Sequence, residues 1–297
     1  MIRLGLCCQF LDVPIAFRRA TATGLRRLSR REQLAKLAGI CRHNASALRQ
    51  AVEHCHLLGI GAFRVNSQIL PLRTHPEVGY QLADLPEAED LLRAFQQGGT
   101  LAQEKGIRLS FHPDPFVVLS SPDEAVRRRS LEELSYQAEV AAWIGADVIN
   151  LHGGGGYGDK PSALKRLRTE LEQLPTELRR RLTLENDDRI YSPTDLLPVC
   201  RAVGVPLVYD VHHHRCLPDA LPVEEATTAA LASWSGREPL FHVSSPKNGW
   251  DGPHPKHHAD YIARSDFPAC WRDLTLTVDV EAKAKERAVL RLRQDLV

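Results

Sequence analysis

Six apolar runs of this chain each end in a side chain that can bind a metal ion. The fullest is Arg181-Leu182-Thr183-Leu184-Glu185-Asn186-Asp187. The others are Phe111-His112-Pro113, Asn150-Leu151-His152-Gly153, Tyr209-Asp210-Val211-His212-His213, Leu240-Phe241-His242 and Val278-Asp279-Val280-Glu281-Ala282. A short apolar run that stops at a polar residue reads as a buried strand entering a loop. One histidine at a strand end is usually a satisfied structural residue. Six strand ends carrying His, Asp or Glu imply parallel strands whose carboxyl ends share a site. With His258 the candidate donors are His112, His152, Glu185, Asp210, His213, His242, His258 and Glu281, five imidazoles and three carboxylates. Within His212-His213-His214, alternation lets one or two face inward, and periodicity does not select among them. A mixed nitrogen and oxygen set suits Zn²⁺, Mn²⁺ or Fe²⁺ rather than Ca²⁺ or Mg²⁺. One zinc takes about four donors, so the set implies two or three ions, with Glu185 as the natural bridge. Ions about 3.5–4 Å apart stabilise both the attacking and the leaving oxygen of a phosphoryl displacement.

The elements that position these residues follow a strand–helix rhythm. Strands are expected at Ile2 to Cys8, Ala62 to Ser67, Ile107 to His112, Val148 to His152, Leu182 to Glu185, Leu207 to Val211, Leu240 to Val243 and Leu276 to Val280. Helices are expected from Asn44, as N-cap, to Leu58 and from Pro86 to Lys105. Others run from Pro122 to Ile144, after Gly156 through Leu178, from Pro193 to Val203 and from Leu221 to Trp234. The segment Asp260 to Leu274 reads as mostly helical, broken at Pro268, and a last helix follows Glu281. Asp12 to Ser29 is a long Arg-rich connection that could line a groove or act as a lid. Eight such units with no change of composition predict one (β/α)₈ TIM barrel over residues 1–297. An open doubly wound sheet is the alternative, but a linear sheet would not gather six strand ends at one point.

Composition sets the outer limits. The chain has 297 residues, 43% hydrophobic and 25% charged, enough for a sizeable core. Its formal net charge of +1 excludes a whole-molecule field for nucleic acid, so any phosphate-binding face is a local patch. The runs Arg26-Arg27, Arg30-Arg31, Arg127 to Arg129 and Arg179 to Arg181 read as solvated helix surface. Seven cysteines without a Cys-x-x-Cys spacing exclude a zinc ribbon and a disulfide framework, and Cys7-Cys8 reads as two small hydrophobes on diverging faces. The start Met-Ile-Arg-Leu-Gly is not signal-like, and no apolar run reaches the ~18 residues of a membrane helix. A cytoplasmic location is expected, with no membrane association and no obligate protein partner. His43, His54 and His56 receive no role.

Several longer strings in collinear order give this chain a resemblance to the UV-damage endonucleases. They are Leu184-Glu185-Asn186-Asp187-Asp188, Asn150-Leu151-His152-Gly153-Gly154 with Tyr157-Gly158-Asp159-Lys160, His242-Val243-Ser244-Ser245-Pro246-Lys247, His258-Ala259-Asp260-Tyr261 and Val280-Glu281-Ala282-Lys283. Phe63-Arg64-Val65, Pro71 and Thr74-His75-Pro76 belong with them. The resemblance implies a TIM barrel related to endonuclease IV that holds up to three divalent ions, Mn²⁺ or Zn²⁺, and cuts damaged double-stranded DNA 5′ to a lesion. It implies that His112 and His152 share an ion with the bridging Glu185. Asp210, His242 and Glu281 would complete a second, and His213 and His258 a third. His75 and Lys160, with Glu185 and Glu281, would be catalytic, and Asn186, Ser245, Tyr157 and Phe116 would face the substrate. A water whose pKa the ions lower would be the nucleophile.

The chain also departs from the family pattern. Where the family reads His-Pro-x-Gln-aromatic, this chain reads His112-Pro113-Asp114-Pro115-Phe116, keeping the aromatic wedge and losing the glutamine. A family lysine two residues before the seventh-strand histidine is Leu240, and Leu6 and Phe10 replace an aromatic and an asparagine. The donors are intact while part of the lesion-reading loop has changed. Three readings follow: an endonuclease acting on UV photoproducts, abasic sites or other lesions; a divergent member acting as a sugar isomerase, epimerase or phosphoesterase; and a lesion-binding protein without activity. An open basic groove would mark the first and a closed pocket the second.

Overall fold

Side-chain alternation within the strands shapes this molecule, of which a computed structural model describes residues 1–296. The strands are β1 (Ile2–Cys7), β2 (Ala62–Val65), β3 (Arg108–Phe111), β4 (Val148–His152), β5 (Leu182–Glu185), β6 (Leu207–Val208), β7 (Leu240–Val243) and β8 (Leu276–Val280). All neighbours pair in parallel, in the order β6-β5-β4-β3-β2-β1-β8-β7. A parallel bridge between Asp210 and His242 joins the two ends, and the His242 amide donates to the Tyr209 carbonyl at 3.1 Å. The sheet thereby closes into the expected eight-stranded barrel.

One face of each strand is apolar. Leu4, Phe63, Leu109, Ile149, Leu184, Phe241 and Val278 point outward into the core shared with the helices. The opposite face carries Gly5, Arg64, Asn150, Thr183, His242 and Asp279, which meet one another inside the barrel. A separate apolar cluster of Val148, Val208, Trp234 and Leu240 fills the interior beneath them. At the strands' amino ends Arg108 seals the barrel, donating to Asp147, to the Thr277 hydroxyl and to the carbonyls of Glu238 and Pro239. The barrel is thus plugged below and polar above, and the polar end is where the loops leave the strands.

The helices are α1 (Ala22–Arg26), α2 (Arg30–Leu58), α3 (Ala88–Glu104), α4 (Glu124–Ile144), α5 (Lys160–Gln173), α6 (Thr176–Arg179), α7 (Pro193–Val203), α8 (Val211–Cys216), α9 (Val223–Ala232) and α10 (Lys285–Leu296). None is long and apolar enough to cross a membrane. Three expectations are corrected here. The second helix begins at Arg30, where Ser29 and Glu32 form a capping box, and not at Asn44. Asn44 is buried in mid-helix because its amide holds the Arg18 backbone and the Ile69 carbonyl. The sixth strand ends at Val208 rather than Val211, since Asp210 caps α8 with its carboxylate on the His213 amide at 2.7 Å. The segment from Asp260 to Leu274 holds only two 3₁₀ turns, Arg264–Asp266 and Ala269–Trp271. There Pro268 lacks a donor and the chain is directed by burying Phe267 and Trp271.

The Arg-rich connection after β1 is pinned along its length. The Glu286 carboxylate accepts from the amides of Leu11 and Asp12, and Asn44 holds Arg18. Phe10 stacks on Phe63 with centroids 5.8 Å apart. Cys7 is buried, and Cys8, beyond the end of β1 in a left-handed conformation at φ +62°, is half-buried.

Candidate metal centre

β5 carries Glu185 to the barrel axis, fully buried, where both carboxylate oxygens are surrounded by imidazoles. Oε2 lies 2.9 Å from His112 Nε2 and 3.9 Å from His152 Nε2. Oε1 lies 3.1 Å from His242 Nδ1 and 3.3 Å from His213 Nδ1. His112 and His152 arrive from the ends of β3 and β4, and His242 from β7. His213 arrives differently. Because Asp210 caps α8, the residue three positions on is turned back over the barrel, which selects His213 from its run.

Three donor sets result, each with its ligand atoms within 4.8 Å of one another: His112, His152 and Glu185; Glu185, Asp210 and His213; and Asp210, His242 and Glu281. Glu185 and Asp210 each belong to two of them, so the sets form one connected cluster. His258 stands at the edge, its Nδ1 3.7 Å from Glu281 Oε2, held in place by a bridge to Pro246. Beneath the donors lies a supporting layer that the residue-by-residue reading missed. Asn150 Nδ2 donates to Glu185 Oε2, and Thr183 Oγ1 fixes that amide by donating to its oxygen at 2.9 Å. Arg64 reaches Glu281 Oε1 at 2.7 Å, Asp279 Oδ2 at 3.0 Å and His242 Nε2 at 2.9 Å. Asn150, Thr183 and Asp279 each precede a donor by two residues, so the period of a strand places them on the same face.

Electrostatics bind the cluster together. Burial opposes charge on Glu185, but His242 and His152 with hydrogen bonds from His112 and His213 hold its carboxyl well below the usual range. Burial also opposes charge on Glu281, and Arg64 and His242 outweigh it, holding that carboxyl low. His213 is raised well above an ordinary imidazole because Asp210 and Glu185 overcome its burial. His242 is raised by Glu185 against its burial. His152 is lowered, chiefly by burial.

Do these residues suit metal ions? Asp210 Oδ2 and His152 Nδ1 are buried without a hydrogen-bond partner among the described residues, a costly state that a cation at Asp210 would relieve. The donors are imidazoles and carboxylates, the mixture that divalent transition metals prefer. The set fits.

The remaining expected residues occupy varied places. Asn186 is buried, with its amide donating to the Asp210 carbonyl at 2.8 Å and its oxygen accepting from the Asp210 amide at 3.0 Å, so it fixes a donor. Ser245 accepts from the Ala263 amide at 2.9 Å and shapes the loop that bears His258. Lys160 pairs with Asp195 at 2.5 Å and lies 5.7 Å from the centre of the Tyr191 ring. His75, Phe116 and Tyr157 line one groove of about 720 Å³ beside the barrel mouth, and Phe116 is 86% exposed at its edge. Leu240 belongs to the apolar plug, and Leu6 and Phe10 to the main core.

Gly5 explains how a carboxylate fits beneath the donors. A Cβ at Gly5 would stand 2.2 Å from Asp279 Oδ1 and 3.2 Å from the Ala62 Cβ. Gly5→Ala is therefore expected to displace Asp279 and destabilise the fold by about 1–3 kcal/mol, read from the urea midpoint. An unchanged midpoint would show that the layer yields without strain.

A parallel eight-stranded barrel with clustered imidazoles and carboxylates at the strands' carboxyl ends defines a TIM barrel with a polynuclear candidate metal centre. Within that class the match is specific: the model of the UV-endonuclease UvdE family matches residues 2–297, and the chain belongs to that family. It is similar to the UV DNA damage endonuclease of Deinococcus radiodurans, 36% identical over 98% of this chain and 94% of that protein. Its fold matches the crystal structure of SacUVDE with a TM-score of 0.87 and 26% identity, over 100% of this chain and 98% of the other. Endonuclease IV from Thermus thermophilus shares the fold at a TM-score of 0.59 and 18% identity, over 99% of this chain and 98% of that one.

Proposed function

We propose that this protein is a divalent-metal-dependent DNA repair endonuclease of the cytoplasm that hydrolyses the phosphodiester 5′ to a UV photoproduct, abasic site or other lesion. The observation that carries the reading is Glu185, shared by two of three connected donor sets in a chain that belongs to the UV-endonuclease family. Two or three ions, Mn²⁺ or Zn²⁺, would be held by His112, His152 and Glu185, by Asp210, His242 and Glu281, and by His213 and His258. Bound there, such ions activate water and neutralise charge on a phosphoryl group. Glu185 and Glu281 hold the donor sets in register, and Asn186 fixes Asp210 by its backbone. His75 and Tyr157 flank the groove edged by Phe116, where a distorted strand would lie; Lys160 and Ser245 shape the neighbouring loops.

Phe116 supports recognition of a lesion. An aromatic ring held in solvent costs the protein apolar burial, and stacking against a disrupted base pair recovers it. Damaged bases unstack most cheaply, so such a wedge favours them. Pro115 narrows the conformations of the loop just before the ring, which suits a fixed wedge without the glutamine.

Incision of end-labelled duplexes tests the proposal. One carries a pyrimidine dimer, one an abasic site and one no damage, with Mn²⁺ or Zn²⁺ supplied and EDTA as the control. The expected result is a metal-dependent cut 5′ to the lesion and none in the intact duplex. No cut in any duplex by metal-loaded protein would move this barrel to another substrate.

A further inference from the structure

A cavity of about 580 Å³ adjoins the donor cluster, with Glu281 and His258 in its lining and Lys256, Lys283 and Lys285 beside them. No step proposed above uses these lysines. Arg64 also lines the cavity, but its guanidinium is committed to Asp279 and Glu281. Lys256 donates to the Asp188 carbonyl and stands 3.6 Å from the Asp188 carboxylate. Lys283 and Lys285 differ: among the described residues neither has a carboxylate within ion-pair distance, although Lys285 is half-buried. Lys285 further adopts φ +50°, a left-handed conformation that side-chain-bearing residues rarely hold. The turn is fixed nearby by the Lys283 amide on the Ala259 carbonyl and the Ala284 amide on the Asp260 carbonyl. Two ammonium groups without a carboxylate partner among the described residues, exposed Lys283 and half-buried Lys285, line a cavity that shares its wall with metal-ligand candidates and call for an anion.

We propose that Lys283 and Lys285, assisted by Lys256, form a second phosphate subsite that grips the DNA backbone next to the phosphodiester at the donor cluster. This rests on the endonuclease reading. Phosphates along one strand advance about 3.4 Å each along the helix axis, so a strand with one phosphate at Glu281 presents its neighbours to this cavity. Lysine serves such a position as a point charge. The grip carries no base or damage information, because contacts to phosphate position a duplex without reading it. It therefore binds intact and damaged DNA alike and leaves discrimination to the groove at Phe116.

The test measures binding of metal-loaded protein to an intact, labelled duplex across a salt series, together with steady-state incision of a damaged one. In the Lys283→Gln/Lys285→Gln variant the slope of log affinity against log salt should fall by about 1 or more. KM for the damaged duplex should rise about tenfold with kcat held. Lys283→Arg/Lys285→Arg should restore the slope, and Lys105→Gln, at the other end of the barrel, should leave it alone. An unchanged slope and KM in a variant of a wild type that does cut DNA would overturn the subsite and spare the endonuclease reading. A wild type that cuts no duplex overturns that reading instead. If inorganic phosphate raises the Tm of the wild type but not of the double Gln variant, while duplex affinity is equal in both, the cavity takes a free phosphate and the assignment to DNA fails.

Discussion

Glu185→Gln is expected to lower DNA incision by about three orders of magnitude and to destabilise the metal-free protein as well. Loss of a residue that merely supports a metal ligand costs about 10–100-fold, and Glu185 belongs to two donor sets directly. Its amide counterpart keeps an oxygen for Asn150 and His112 but turns an NH₂ toward the Nδ1 atoms of His213 and His242. Those nitrogens act as donors to the Asn186 carbonyl and to the Glu185 carboxylate, so two contacts are lost. What disappears is a charge that the surrounding imidazoles stabilise. Because the carboxyl is held low, this charge favours the folded, metal-free state at neutral pH, so removing it is destabilising there even with Asp210 and Glu281 nearby. With metal present the gap should widen, because binding stabilises the wild type by about 2.7 kcal/mol at a hundredfold excess over Kd. Melting in EDTA and in Mn²⁺ or Zn²⁺, with metal content measured alongside, checks both halves. Full metal content together with wild-type incision would remove Glu185 from the centre of the site.

Much of this site is legible in the sequence because strand geometry is simple. His112, His152, Glu185, His242 and Glu281 fall at or just beyond apolar runs, and a parallel barrel converts such positions into neighbours. His213 is not legible that way. It is positioned by the Asp210 cap of a six-residue helix, so strand alternation cannot choose among three consecutive histidines, and only the family motif can. The start of α2 is hidden for a related reason. Asn44 looks like an N-cap, but tertiary hydrogen bonds consume its amide, while the capping box at Ser29 and Glu32 lies inside what reads as a basic loop. Leu240 shows the opposite case. Its identity is plain, yet its meaning comes from the apolar plug with Val148, Val208 and Trp234, one inward layer below His242. The supporting pair Arg64 and Asp279 is visible as residues and invisible as a unit, since one sits on β2 and the other on β8.

That pair gives the largest expected effect on folding. Arg64→Met should destabilise the metal-free protein by about 3–5 kcal/mol, the cost of leaving a buried charge without its partner. Asp279 and Glu281 would both lose the guanidinium, and Asp279 already has one oxygen without a hydrogen-bond partner among the described residues. Arg64→Lys should fall between, because one ammonium group cannot reach Asp279, Glu281 and His242 with the spread of a planar fork. Adding Asp279→Asn to Arg64→Met should recover part of the loss by removing one orphaned charge, a coupling of about 0.5–3 kcal/mol in a double-mutant cycle. Urea unfolding in EDTA of the wild type, Arg64→Met, Asp279→Asn, the double variant and Arg64→Lys measures these effects. A loss within about 0.5 kcal/mol for Arg64→Met would match an ordinary surface change and contradict the role assigned to the pair. The physical reason for an arginine here is that its charge does not depend on pH or on metal supply. It lets these carboxylates fold into the barrel without an ion, and it leaves Asp210 Oδ2 without a hydrogen-bond partner among the described residues, where an ion would bind.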